Sequence, residues 1–162
     1  MKPLSLVIRV DAGTKIGFGH LVRCLSIVEY LRESQEVNAI FICRMHEGFS
    51  RELIENAGFD VQPLGRVSRS NTIDNGLSHG HWLGESWECD SAQTVDVVTR
   101  KFPFGADWLL VDHYAIDYRW QKVVRPFSRG ILVVDDLADR SHECDILVDQ
   151  TYGLAKSRYR NL

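Results

Sequence analysis

Short runs dense in Val, Ile and Leu alternate along the chain with stretches in which apolar residues recur every three or four positions. The runs are LSLVIRV (4–10), NAIFIC (38–43), DVQPL (60–64, the weakest), WLLVD (108–112), ILVVD (131–135) and DILVD (145–149). Strands apolar on both sides are the mark of a parallel sheet covered on each face, and the segments of helical period supply the cover. Between the first two runs, Leu21, Cys24, Leu25, Val28 and Leu31 share one helical face. Residues 50–57 read as a second helix closed by Gly58, 91–102 as a third stopped by Pro103, and 118–125 as a fourth stopped by Pro126. The pattern is βαβαβ, a loop, then αβαβ. It predicts an α/β domain with a Rossmann-like open parallel sheet and helices on both faces.

One segment falls outside the pattern. Residues 66–90, RVSRSNTIDNGLSHGHWLGESWECD, are polar, contain glycine and run about twice as long as ordinary connections. They fit either a flexible excursion with a short helix or a loop lining a site, and Trp82 and Trp87 favour the ordered alternative.

Composition narrows the function classes. At 162 residues the chain fits one domain able to bury a core, and 44% hydrophobic with 25% charged residues is ordinary globular composition. A formal net charge of −3 offers no basic face for nucleic acid. Cys24, Cys43, Cys89 and Cys144 form no CxxC pair, and three sit in apolar or strand-like runs, which reads as reduced core thiols. The N-terminal run is interrupted by Arg9 and Asp11, too early for a signal peptide or a membrane span, so the expected compartment is cytoplasmic.

Ligands of an open parallel sheet bind beyond the carboxyl ends of its strands. Asp11 follows the first run, Asp112, His113 and Tyr114 the fourth, Asp135 and Asp136 the fifth, and Asp149 and Gln150 the last. Each aspartate alone is also what a helix cap or turn former looks like; their convergence on one edge is the signal. After the first run comes DAGTKIGFGHLVRCLSI, in which Gly17 and Gly19 allow close backbone approach and the following helix offers free N–H groups to an anion. This is not a dinucleotide fingerprint, because the third glycine would fall on Val22 and no acid ends the second strand at Cys43-Arg44. Nor does a Gly-Lys-Ser/Thr follow, as a Walker loop requires.

His20 stands at the start of the first helix, either capping the loop or facing what the loop binds. The helix dipole disfavours imidazolium by about 0.3–1 kcal/mol, which reinforces the neutrality of an imidazole and suits a proton acceptor. The histidines at 79, 81, 113 and 142 lack the helical pairing or paired cysteines that zinc sites favour, so no metal is expected.

GFGHLVRCL, HWLGESWECDSAQT, LLVDHYAID and VVDDLADRSHECDILVDQTYG, in that order, give the chain a further character. It resembles the N-terminal half of UDP-2,4-diacetamido-2,4,6-trideoxy-β-L-altropyranose hydrolase, the nucleotide-sugar hydrolase family of pseudaminic acid biosynthesis, related to the SpsG spore-coat polysaccharide proteins. The resemblance implies the N-terminal domain of a GT-B fold, an active site in a cleft between two Rossmann-like domains, and attack of water on the anomeric carbon to release UDP with inversion. It implies no metal and no cofactor. The histidine of G-x-G-H, His20, is the implied general base, and the tyrosine of D-H-Y, Tyr114, orients the water or the histidine. Asp11, Gly17, Phe18, Gly19, Asp112 and His113 are the implied substrate-binding set, with Asp112 and His113 bracing the site. Alternatives within reach are a GT-B glycosyltransferase half, in which His20 activates an acceptor hydroxyl, and a noncatalytic module holding a sugar or a partner protein.

The implied substrate is a UDP-activated diacetamido-trideoxy sugar, with no nucleic-acid or membrane partner. The family continues into a second, nucleotide-gripping domain, whereas this sequence ends at SRYRNL. The expectation is a half-enzyme (a truncated frame, an excised domain or a split subunit) that is inactive alone and prone to self-association or to pairing with a separate C-terminal domain.

Overall fold

The computed structural model of the chain describes residues 2–67, 76–160 and 162. All six apolar runs are strands: β1 (Leu4–Val10), β2 (Val37–Met45), β3 (Asp60–Arg66), β4 (Ala106–Asp112), β5 (Ser128–Val134) and β6 (Ile146–Val148). The helices are α1 (Gly19–Ser34), α2 (Glu52–Asn56), α3 (Trp87–Lys101) and α4 (Tyr118–Val124), with short 3-10 turns at Gly80–Leu83, Arg125–Phe127 and Lys156–Tyr159. The strands form one sheet in the order β3-β2-β1-β4-β5-β6. Every neighbouring pair is parallel. The chain therefore winds outward from β1 to one edge, returns to the centre at β4 and winds to the other. That reversal leaves a crevice at the carboxyl ends of β1 and β4, the place where doubly wound sheets bind ligands.

Two apolar layers hold the sheet. On one side Val7, Ile40, Ile42, Leu109, Val111, Ile131 and Val133 pack against Val97 and Val98 of α3 and Trp120 and Val124 of α4. On the other, Ile8, Val10, Phe41, Cys43, Leu110 and Val134 meet Leu21, Cys24 and Val28 of α1 and Ile54 of α2. Alternate residues of each strand feed opposite layers, which is why the runs read as continuously apolar. All four cysteines are free, with Cys24 and Cys43 buried.

Departures from the sequence expectation have local causes. α3 starts a turn before residue 91, because Ser86 caps it by accepting from the backbone N–H of Cys89 at 3.2 Å. The helix at 118–125 yields to a 3-10 turn at Arg125, where Pro126 cannot continue the N–H ladder. Of the 66–90 segment, residues 68–75 lie outside the described residues, while 76–90 carry the 3-10 turn and the first turn of α3. β5 and β6 are joined without a helix. A largely apolar groove of about 220 Å³, lined by Leu4, Ile27, Trp108, Leu132 and Ile146 among others, lies on the α1 side there. Among the described residues no helix is long and apolar enough to cross a membrane.

Candidate active site

The loop after β1 is a narrow fold-back in which the backbone N–H of Gly13 donates to the carbonyl of Gly17 at 3.3 Å and that of Gly17 returns a bond to Gly13 at 2.7 Å. Gly17 has φ +84°, which only glycine adopts without strain, and a Cβ on Gly13 would lie 2.7 Å from the carbonyl oxygen of Glu47. Phe18 precedes α1 without a side-chain cap and leans its ring on the α1-side core. No acidic residue occupies the first turn of α1, so its first N–H groups face the crevice uncompensated. A Cβ on Gly19 would meet nothing within 4 Å. The space over the helix start is open.

His20, on that first turn, brings its Nδ1 to 2.7 Å from Oδ1 of Asp112 at the end of β4. A carboxylate only accepts, so Nδ1 carries the proton and donates, which leaves Nε2 as the ring's acceptor. Nε2 has no hydrogen-bond partner among the described residues. Asp112 is fully buried. Burial alone would push its carboxyl up, but hydrogen bonds from His20 and Arg23, and their charges, hold it below the ordinary carboxylate value. Arg23, one turn further along α1, grips both oxygens of Asp112 at 2.6 Å each.

Tyr114 stands edge-on to His20, ring centroids 4.6 Å apart at 89°. Its hydroxyl donates to Oδ1 of Asp136 at 2.5 Å. Burial and that carboxylate push the phenol up, so it remains a neutral donor. Trp82 stacks on Tyr114 at 5.7 Å and 27°, and His79 packs against both rings. The wall of the crevice beside His20 is thus aromatic.

Asp11 was expected in the substrate-binding set, and His113 to brace the site; the structure turns both inward and leaves them 1% and 3% exposed, so Asp11 joins His113 behind the site and does not face a ligand. Asp11 accepts from the Arg9 guanidinium, from the backbone N–H of Arg44 at 2.7 Å and from Nε2 of His113 at 3.0 Å, with His46 at 3.3 Å. The backbone N–H of Ala115 donates to Nδ1 of His113 at 3.0 Å, which fixes that tautomer. Beneath them Asp90 of α3 accepts from Arg9, from Arg44 at 2.7 Å and from the indole of Trp120 at 2.9 Å. Two buried arginines face two buried aspartates: a neutral, hydrogen-bonded plug under the site.

The structure therefore brings together His20, Asp112, Tyr114 and the Gly17-Phe18-Gly19 turn, and sets Asp11 and His113 behind them. Sequence reasoning missed Arg23, placed Asp136 at the ligand-binding edge without a role, took Trp82 only as a sign that its loop is ordered, and gave His79 no role beyond excluding it as a zinc ligand. The available signal for Arg23 was its spacing of three from His20, which puts both on one helical face. Among the described residues no cluster of His, Cys, Asp and Glu is arranged to hold a metal ion.

The sheet order and the polar groups gathered at its point of reversal define a doubly wound, Rossmann-like α/β domain with a candidate active site at the switch point. No protein-family model matches the chain, and no curated protein matches it either. Among solved structures it is similar to Phytolacca americana UGT2, in a complex with UDP-2fluoro-glucose and pterostilbene, with a TM-score of 0.57 and 12% sequence identity. The match covers 83% of this chain and 30% of that one. At such identity the likeness is one of fold.

Proposed function

We propose that this chain is the base-bearing domain of a UDP-sugar-cleaving enzyme of GT-B architecture, and more specifically of a hydrolase acting on UDP-2,4-diacetamido-2,4,6-trideoxy-β-L-altropyranose. The observation that carries the reading is the His20–Asp112 pair at the switch point, with the open start of α1 on one side and Tyr114 on the other. The ordered motifs shared with the hydrolase family and the fold likeness to a protein crystallised with a UDP-sugar support it.

In this scheme Nε2 of His20 takes a proton from water as the water oxygen bonds to the anomeric carbon. The C–O bond to the diphosphate breaks, its electron pair leaves with UDP, and the configuration inverts. Asp112, ionised and hydrogen-bonded to Nδ1, stabilises the imidazolium that forms. Tyr114, a neutral donor held by Asp136, positions the water or the sugar. The free N–H groups at the start of α1 suit the negative charge of the nucleotide.

A second reading keeps His20 as the base but has it take the proton of an acceptor hydroxyl in place of water, that oxygen bonding to the anomeric carbon as UDP leaves, as in a glycosyltransferase. The similarity to UGT2, whose structure holds a UDP-sugar together with pterostilbene, favours retaining it. The two separate in one experiment: incubation with the UDP-sugar in ¹⁸O-water without any acceptor. The hydrolase reading predicts UDP release with ¹⁸O at the anomeric position; UDP release only on addition of an alcohol selects the transferase.

A further inference from the structure

Arg23 belongs to no part of the chemistry described above, yet it touches every charged group of the site. Its Nε and Nη2 bind the two oxygens of Asp112 at 2.6 Å. Nη2 lies 3.1 Å from Nδ1 of His20, and Nη1 lies 3.8 Å from Oδ2 of Asp136, whose other oxygen holds the Tyr114 hydroxyl. The Arg23 side chain is only 17% exposed. It thus joins the His20–Asp112 arm to the Tyr114–Asp136 arm.

Charge counting shows what that position does. Among the described residues the ionisable groups around His20 are Arg23 on its own helix, Asp112 and Tyr114 from β4 and the turn after it, His79 from the segment before the 3-10 turn, and Asp136 after β5. Trp82 adds an uncharged ring at 6.3 Å. Tyr114 is neutral, so the negative charges here are Asp112, which meets the imidazole directly, and Asp136, which stands behind Tyr114 and Arg23. Left alone they would draw a proton onto Nε2 and spoil a base that must start unprotonated. A fixed cation between them removes that pull. Its bidentate hold also keeps Asp112 turned so that one oxygen accepts from Nδ1 of His20.

We infer that Arg23 is the positioning residue of this site: it lies between Asp112 and Asp136 and clamps Asp112, so that Oδ1 accepts from Nδ1 of His20 and Nε2 keeps its lone pair toward the crevice. The inference deepens the proposed function and rests on it for its catalytic meaning, while the protonation state of His20 is measurable without turnover.

The test is ¹H–¹⁵N NMR titration of the histidine rings in the 162-residue chain, comparing wild type with Arg23→Met, Arg23→Lys and Asp136→Asn. Wild type should show the Nδ1–H tautomer of His20 at neutral pH. Arg23→Met should raise the titration point of His20 by about one unit, the effect of unmasking a neighbouring carboxylate. Arg23→Lys, which keeps the charge, should stay near wild type. Asp136→Asn, at a partly exposed position that does not threaten folding, should move the titration point down. In active enzyme, Arg23→Met should shift the acid limb of the kcat/KM profile up by the same amount. An Arg23→Met protein that titrates like wild type overturns the inference, as does equal behaviour of Met and Lys. Should Arg23→Met fail to fold, an unmoved His20 in Asp136→Asn overturns it. If the shifts occur but no UDP-sugar is ever cleaved, the functional reading falls and the role of Arg23 stands; cleavage through His20 with no shifts gives the reverse.

Discussion

Gly19 is the residue where fold and function separate most cleanly. Its conformation is not one reserved for glycine, and an added side chain would touch nothing in the protein. Gly19→Val should therefore fold with a thermal midpoint near wild type, since a β-branched residue at a helix start costs at most a few tenths of a kcal/mol more than alanine. The same side chain would fill the space above the first N–H groups of α1, and UDP-sugar affinity, read by calorimetry, should fall at least tenfold. Unchanged affinity would place the ligand elsewhere. His20 and Tyr114 were legible as candidates because one opens a helix after a glycine turn and the other follows a strand end, the places where an open parallel sheet meets its ligands. Arg23 was not, because a charged residue on a helix reads as a solvated face until a buried partner is seen, and Asp136 was legible only as one of several polar groups on the edge. Asp11 misled for the complementary reason: a sheet edge gathers polar groups whether they point out to a ligand or in to a plug, and this one points inward to Arg9 and His113.

At the scale of elements, the runs gave all six strands and their order in the chain, since burial on both faces writes itself as continuous hydrophobicity. The exceptions inside those runs, Arg9 in β1 and Arg44 in β2, are the elements' own connection to the site. They meet Asp11 and Asp90 in the plug under the crevice, a long-range pairing that no local pattern reveals. Asp90→Ala should destabilise the protein by about 3–5 kcal/mol, the usual result of leaving buried cations unpaired, and urea denaturation would show it. The plug also sets the acid response. Burial lowers the titration point of His113, so the unfolded chain takes its proton first, and stability falls once pH drops below about 6.5. For Asp11 and Asp90 burial pushes the carboxyls up, but the Arg9 charge and hydrogen bonds hold both below their ordinary value. Their contribution is full above the unfolded carboxylate range, about pH 4, and is lost progressively as pH falls from there through their lower folded values. His113→Gln should flatten the first of these two declines and leave the second. A stability profile with no change in slope near pH 6 would contradict this.

At the scale of the molecule, the sheet order brings the ends of β1 and β4 side by side, and this placement turns scattered motif residues into one site. Sequence could predict a parallel sheet but not which strands would neighbour each other, because strand order is a property of the crossovers and not of the strands. The chain spans 30% of the similar UGT2 structure, and the GT-B architecture proposed above assigns the grip on the nucleotide to a second Rossmann-like domain. Positioning of both reactants can supply about 7–11 kcal/mol of barrier reduction, so the 162-residue chain assayed by itself should release UDP far more slowly than when such a domain is supplied. The central claim, that His20 is the base, is tested most directly by UDP release from the UDP-sugar with that domain present, wild type against His20→Asn. The account predicts unchanged substrate affinity with turnover reduced about 10²–10⁴-fold, the usual worth of a positioned general base. Turnover by His20→Asn equal to that of wild type would contradict it.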